Sequence, residues 1–155
     1  MVIKKNLFIL TISIILFSCT SNIFYDKNIE INNSVWNTDS TAIFNVTVED
    51  TINYFDFYLN LRNTTDYKYS NIYFFIDTKF PDGNHTQDTV ECLLSDKKGK
   101  WYGSGIGKVK SNSYLLKRKI KFLQKGVYSF EIQQAMRTRN LNGIKNIGIT
   151  IKKSN

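Results

Sequence analysis

Apolar and polar residues alternate with a period of two along most of this chain. Residues 54–62 are the clearest case: Phe55, Phe57, Leu59 and Leu61 fall on one side, and Tyr54, Asp56, Tyr58, Asn60 and Arg62 on the other. That spacing is a half-buried strand and does not fit the 3.6-residue period of a helix. The same pattern predicts strands over 42–48, over 71–79 with Ile72, Phe74 and Ile76 in phase, and around Val90, Cys92 and Leu94. Further strands are predicted over 116–122, over 128–132, and around Ile147, Ile149 and Ile151, while residues 22–26 suit the start of an edge strand. Turn clusters separate them, among them Asn63-Thr64-Thr65-Asp66, Phe80-Pro81-Asp82-Gly83-Asn84, Asp96-Lys97-Lys98-Gly99 and Gln124-Lys125-Gly126. Residues 133–137 favour a helix, but the run allows only one or two turns before Asn142-Gly143 ends it. The expected fold is all-β: a single antiparallel β-sandwich, jelly-roll-like, of about eight strands with one short helix or turn near 133–141.

The first residues break this rhythm. Lys4 and Lys5 precede a continuous apolar run over 7–17 that is interrupted only by Thr11 and Ser13, which is the pattern of an export signal. About eleven residues span only ~16 Å as a helix, roughly half of a ~30 Å hydrocarbon core, too short for a permanent anchor. The run closes on Leu16-Phe17-Ser18-Cys19, which resembles the lipobox of bacterial lipoproteins. That resemblance implies cleavage between Ser18 and Cys19, a diacylglyceryl thioether on Cys19, and acylation of the new amine. Two or more acyl chains hold a protein on a bilayer for long times, where one holds it only marginally. The expected organisation is a signal peptide over 1–18, a lipidated N-terminus and leader over 19–33, and a β-sandwich over 34–155.

Charge and cysteines narrow the reading. The formal charge of +8 drops to +6 once Lys4 and Lys5 leave with the signal. Lysines and arginines are scattered among aromatic and acidic residues without a long basic block, so no nucleic-acid partner is expected. With Cys19 lipidated, Cys92 is the remaining cysteine, so the fold rests on its core and not on a disulfide. Eleven Phe and nine Tyr supply that core, each burying 150 to 250 Å² by typical values.

Candidate chemistry is sparse, and no enzyme activity, metal or cofactor is expected. His85 is the chain's one histidine, and with Asp82 and Asp88 it forms either a small acid-base or metal site or a solvated turn. The spacing Gly103-x-Gly105-x-Gly107 opens no helix, so it suits close strand packing better than a phosphate cradle. Cys92 is expected to be a buried packing residue. Tyr54, Tyr58, Tyr67, Tyr69, Tyr73 and Trp101 are either a stacking platform for glycan or the rings that fill a small sandwich. Asp-Ser-Thr at 39–41, Asp-Thr-Ile at 50–52 and Asp-Thr-Val at 88–90 resemble O-glycosylation sites of exported Bacteroidetes proteins, which would modify Ser40, Thr51 and Thr89.

A series of short motifs runs through the mature chain: Leu61-Arg62-Asn63, Phe80-Pro81-Asp82-Gly83, Asp88-Thr89-Val90-Glu91, Gly99-Lys100-Trp101-Tyr102-Gly103-Ser104-Gly105, Gln133-Gln134-Ala135-Met136-Arg137 and Leu141-Asn142-Gly143-Ile144. It resembles the gliding motility lipoprotein GldH family of Bacteroidetes. The resemblance implies a non-catalytic accessory of the gliding machinery, linked to type IX secretion, with motility or secretion envelope proteins as partners besides the membrane that holds the lipid on Cys19. The residues after Cys19 lack acidic export or retention signals, so the periplasmic face of the outer membrane is the expected location. The expected partner surface is Gln133, Met136, Arg137 and Arg139 with Trp101, a composition suited to interfaces; closure of the sandwich explains the same segment equally well. A carbohydrate-binding lipoprotein of the envelope is the alternative.

Overall fold

The computed structural model describes residues 22–155; the expected signal, Ser18 and Cys19 lie outside them. The described chain forms ten strands: β1 Ile23–Glu30, β2 Val35–Asn37, β3 Ala42–Val48, β4 Phe55–Thr64, β5 Asn71–Lys79, β6 His85–Leu93, β7 Val109–Ile120, β8 Gly126–Gln134, β9 Asn140–Asn142 and β10 Ile144–Lys153. A single 3-10 turn, Asn32–Ser34, precedes β2. One sheet has the order β1-β10-β4-β7 and the other β3-β8-β5-β6, with β2 and β9 as a small separate pair. Every pairing is antiparallel. Counting only the eight long strands, the orders are 1-8-3-6 and 2-7-4-5, the two interleaved four-stranded sheets of a jelly roll. The expected architecture is the observed one.

Period-two alternation builds the core directly. Phe55, Phe57, Leu59 and Leu61 of β4 and Ile147, Ile149 and Ile151 of β10 face Phe44, Val46 and Val48 of β3, Ile72, Phe74 and Ile76 of β5 and Tyr128, Phe130 and Ile132 of β8. Phe57 and Phe130 meet across the layers with ring centroids 4.9 Å apart. Trp36 is a core residue, 1% exposed; it packs on Phe74 and donates its indole N–H to the Ser40 carbonyl at 2.8 Å.

Three elements depart from the sequence expectation in extent. β1 starts within the residues expected to open an edge strand and runs on through ones assigned to the leader, pairing Ile23 through Glu30 with Lys152 back to Asn146, so the folded body reaches back at least to residue 23. β7 starts at Val109, well before residue 116. Its first half is polar because an edge strand needs only half a buried face, and Asn112 meets the buried Asn63 with Nδ2–H donating to Oδ1 at 3.0 Å. Residues 135–139 form a turn and not a helix. The buried Gln134 holds it: Oε1 accepts from the Met136 amide at 2.8 Å, and Nε2 donates to the Thr138 carbonyl at 3.0 Å.

Two glycines are required by close approach. Gly143, at φ 94°, brings its α-carbon against the Tyr67 backbone, where a Cβ would lie 2.9 Å from Cα. Gly148 lies under β1, where a Cβ would stand 2.6 Å from the Lys27 carbonyl oxygen.

Candidate functional site

The expected partner surface assembles in part. Gln133 lies on the outer face of β8, directly opposite Phe75 in register, and its side-chain amide donates to the Thr38 carbonyl. Met136 lies in the Gln134-held turn, half-buried against the core, and its sulfur accepts from the Tyr73 amide at 3.4 Å. Tyr69 joins the same turn through a 2.9 Å hydrogen bond with the Thr138 hydroxyl. Gln133, Met136 and the exposed Arg137 therefore adjoin Tyr69, Tyr73 and Phe75, all partly exposed rings on the outside of the β3-β8-β5-β6 sheet. Arg139 points to Asp39 instead, an exposed ion pair at 3.0 Å, of the kind that contributes under about 1 kcal/mol. Trp101 forms an isolated bridge with Ser95 and packs half-buried against the core.

The rings proposed as a glycan platform do not share one plane or one face. Tyr67 is buried, with its hydroxyl donating to the Asn71 carbonyl at 2.9 Å, and burial pushes its pKa up. Tyr58 sits on the outside of the opposite sheet under the Lys152 ammonium, 5.0 Å from the ring centre. Tyr54 is exposed beside the C-terminal strand, accepting through its carbonyl from the Ser154 amide. Tyr67 and Tyr69 meet edge-to-face with ring centroids 5.6 Å apart, and Tyr69 and Tyr73 each bond to the turn that carries Met136.

The acid and histidine candidates are engaged separately. Both oxygens of Asp82 serve its own turn and Gln124, with the Asn84 backbone and then Gln124 holding its carboxyl below the usual range. Asp88 pairs with Lys117 at 2.7 Å. His85 is exposed at the start of β6. Among the described residues no three His, Cys, Asp or Glu side chains lie close enough to hold a metal ion. Cys92 is buried, and burial, with Glu91 beside it, pushes its thiol up to about 12; it is a packing residue at neutral pH. Ser40 and Thr89 are exposed and Thr51 is half-buried.

Alternation gives no sign of a further concavity. A groove of about 760 Å³ runs between the sheets along β6 and β7. Its floor is Phe57, Ile76, Phe122, Tyr128 and Phe130, and its flanks carry Val90, Leu116 and Ile120. The Lys117–Asp88 pair and the Gln124–Asp82 hydrogen bond cross its mouth. Towards its far end the Tyr114 hydroxyl donates to the Leu93 carbonyl at 2.8 Å and ties β7 to β6. Burial, with Cys92 behind it, raises the Tyr114 pKa, so the phenol stays a neutral donor. Such a groove can hold an extended apolar group under a mixed-charge rim. It arises from which strands form the facing edges of two sheets, information that no single strand carries.

Comparison with known proteins places this geometry in a family. A family model described as GldH lipoprotein matches residues 23–151, which is the whole described domain from β1 to β10. The chain is 36% identical to the gliding motility lipoprotein GldH homolog of Christiangramia forsetii, over 96% of each chain. It is 29% identical to the gliding motility lipoprotein GldH of Flavobacterium johnsoniae, over 97% of each. No solved structure matches. A family model spanning the jelly roll from end to end, together with relatives that cover both chains almost completely, shows that this chain belongs to the GldH gliding motility lipoprotein family.

Proposed function

We propose that the protein is a non-catalytic accessory of the gliding machinery, tethered through lipid on Cys19 to the periplasmic face of the outer membrane and linked to type IX secretion. The carrying observation is the family match over residues 23–151, supported by the names of the two relatives. Leu16-Phe17-Ser18-Cys19 supplies the cleavage and acylation pattern, and β1 begins only four residues after Cys19, so the domain is held close to whatever the lipid enters. The face of Gln133, Met136 and Arg137 with Tyr69, Tyr73 and Phe75 docks a protein partner of the same envelope: flat, aromatic and Met-containing surfaces with an unpaired arginine are what such interfaces use.

Three measurements test this reading. Cys19→Ala moves the protein from the membrane to the soluble fraction and abolishes colony spreading; normal membrane retention of that variant overturns the anchor. Affinity capture of the wild-type lipoprotein from solubilised membranes recovers motility or secretion components, and capture that recovers none of them overturns the assembly role. Protease treatment of intact cells leaves the protein whole, whereas its removal places it on the outer surface.

A further inference from the structure

Strand register sets both sheets in line at one end of the jelly roll. Ile23 of β1 pairs with Lys152, and Phe55 of β4 pairs with both Lys153 and Ile120. In the other sheet Val48 pairs with Gly126 and Lys79 with His85. The connections over 49–54, 80–84 and 121–125 therefore all lie at the end where residue 22 enters the fold. Its backbone oxygen accepts from the Lys153 amide at 2.8 Å. Two residues, Thr20 and Ser21, lie between Cys19 and Asn22, three steps of chain that span at most about 10 Å.

That end is unlike an ordinary set of loop tips. Ile52 and Leu123 are 79% and 81% exposed, and Tyr54, in the same connection as Ile52, is 53% exposed. Around Asn22 the side chains of Arg118, Lys119 and Lys152 line one shallow basin with Lys153 and Asp56. Lys153 is paired with Asp50 at 3.0 Å, and Asp56 is occupied by the Ser154 hydroxyl and the Lys119 amide. Among the described residues, Arg118, Lys119 and Lys152 form no ion pair, and neither does Lys121 in the next connection. Protruding apolar tips, an interfacial tyrosine and unpaired cations on one end are what a bilayer surface with anionic headgroups accepts.

We propose that this end is a second membrane contact: Ile52, Tyr54 and Leu123 enter the headgroup layer while Arg118, Lys119, Lys121 and Lys152 meet lipid phosphates. The contact rests on the tether at Cys19. The lipid sets where the domain is held, and this end sets its orientation, standing the Met136 face and the far-end loops away from the bilayer. Each cation near an anionic surface contributes about fivefold in partitioning, less at physiological salt.

The test uses the lipoprotein purified from membranes and reconstituted into phosphatidylcholine vesicles containing or lacking phosphatidylglycerol. Amine-reactive labelling of each lysine is read by mass spectrometry after flotation. Lys119, Lys121 and Lys152 should label at least threefold more slowly on anionic vesicles than in detergent, while Lys97 and Lys98, in the turn after β6 at the opposite end, label equally in both. Ile52→Ser with Leu123→Ser, both at exposed positions, should leave flotation intact and remove most of the protection. Uniform labelling of a floating protein overturns the membrane-facing end and leaves the anchor standing. A protein that carries no lipid by mass and does not float overturns the anchor, and this proposal with it.

Discussion

Gly148→Ala tests how the tethered strand is seated. β1 is an edge strand, and it connects the expected lipid site to the body of the fold. Gly148 faces Asn28 in register, and a Cβ there would sit 2.2 Å from the Asn28 Oδ1 and 2.6 Å from the Lys27 carbonyl oxygen. The side chain of Asn28 can rotate away; the carbonyl can move only with its strand. Restoring a 3.4 Å contact shifts β1 by about 0.8 Å, enough to stretch a ~2.9 Å ladder bond to roughly 3.7 Å, outside hydrogen-bond range. Losing the two bonds nearest the glycine costs about 1–3 kcal/mol, the same range found for overpacked interiors. For a domain of this size that is a fall in Tm of roughly 4–12 °C. Thermal unfolding by circular dichroism reads the fall, and hydrogen exchange should show the amides of β1 opening before those of β4. Adding Asn28→Ala should restore less than half of it, since the carbonyl clash remains. A Tm within about 2 °C of wild type, or unchanged exchange in β1, refutes the reasoning; complete rescue by Asn28→Ala assigns the cost to the side chain and not to the strand.

Three further outcomes follow from the site. Asp50, held below the usual carboxylate range by the Asn53 side chain, the Asn53 amide and Lys153, and Asp56, held low by the Ser154 hydroxyl, have lowered folded-state pKa values. A lowered carboxylate stabilises the fold above its unfolded pKa near 4 and loses that contribution as pH falls, so Tm should stay level from pH 7 to about 5 and drop below about 4, and Asp50→Asn should flatten the drop. Cys92, with its thiol pushed up to about 12, should resist iodoacetamide at pH 8 in the native protein and react fully in urea; rapid native alkylation contradicts its burial. Arg137→Glu should cut partner capture at least tenfold with a Tm change below about 2 °C, because Arg137 is exposed and makes no ion pair; unchanged capture removes the Met136 face from the interface.

The legible part of this fold is the part encoded by local period. Phe55, Phe57, Leu59 and Leu61, and the isoleucines of β10, announce their strand and their buried face without reference to any other segment. The first half of β7 does not, because Lys110, Asn112 and Ser113 belong to an edge whose polar groups are satisfied by Asn63 and Asn60 far away in sequence. The turn over 135–139 reads as helix for a related reason: Gln134 has good helix propensity, and only its burial turns its amide onto the Met136 and Thr138 backbone. β1 carries Phe24, Tyr25 and Ile29, which pack against the core without strict alternation, and its length is set by the edge that β10 offers it. For the candidate site, the composition of 133–137 marked the proposed partner segment, but the neighbouring rings Tyr69, Tyr73 and Phe75 come to it through chain and sheet order.

Sheet order also explains why the groove lies where it does. In a jelly roll the two sheets share four edges, and here one side is covered: β1 contacts β3, and the β2–β9 pair sits across the junction with β10. On the other side β6 and β7 share no ladder, and they meet through side chains of opposite charge, Asp88 with Lys117, and through Tyr114. Such an exposed pair contributes at most about 1 kcal/mol and weakens with salt. That side therefore rests on side-chain contacts and on the apolar floor beneath them, whereas the other also carries the β2–β9 ladder. The charges on β6 and β7 also keep these two edges from recruiting a strand from another chain. The groove is the seam along which this sandwich can widen without losing a ladder, and its apolar floor is the surface that such widening would expose first.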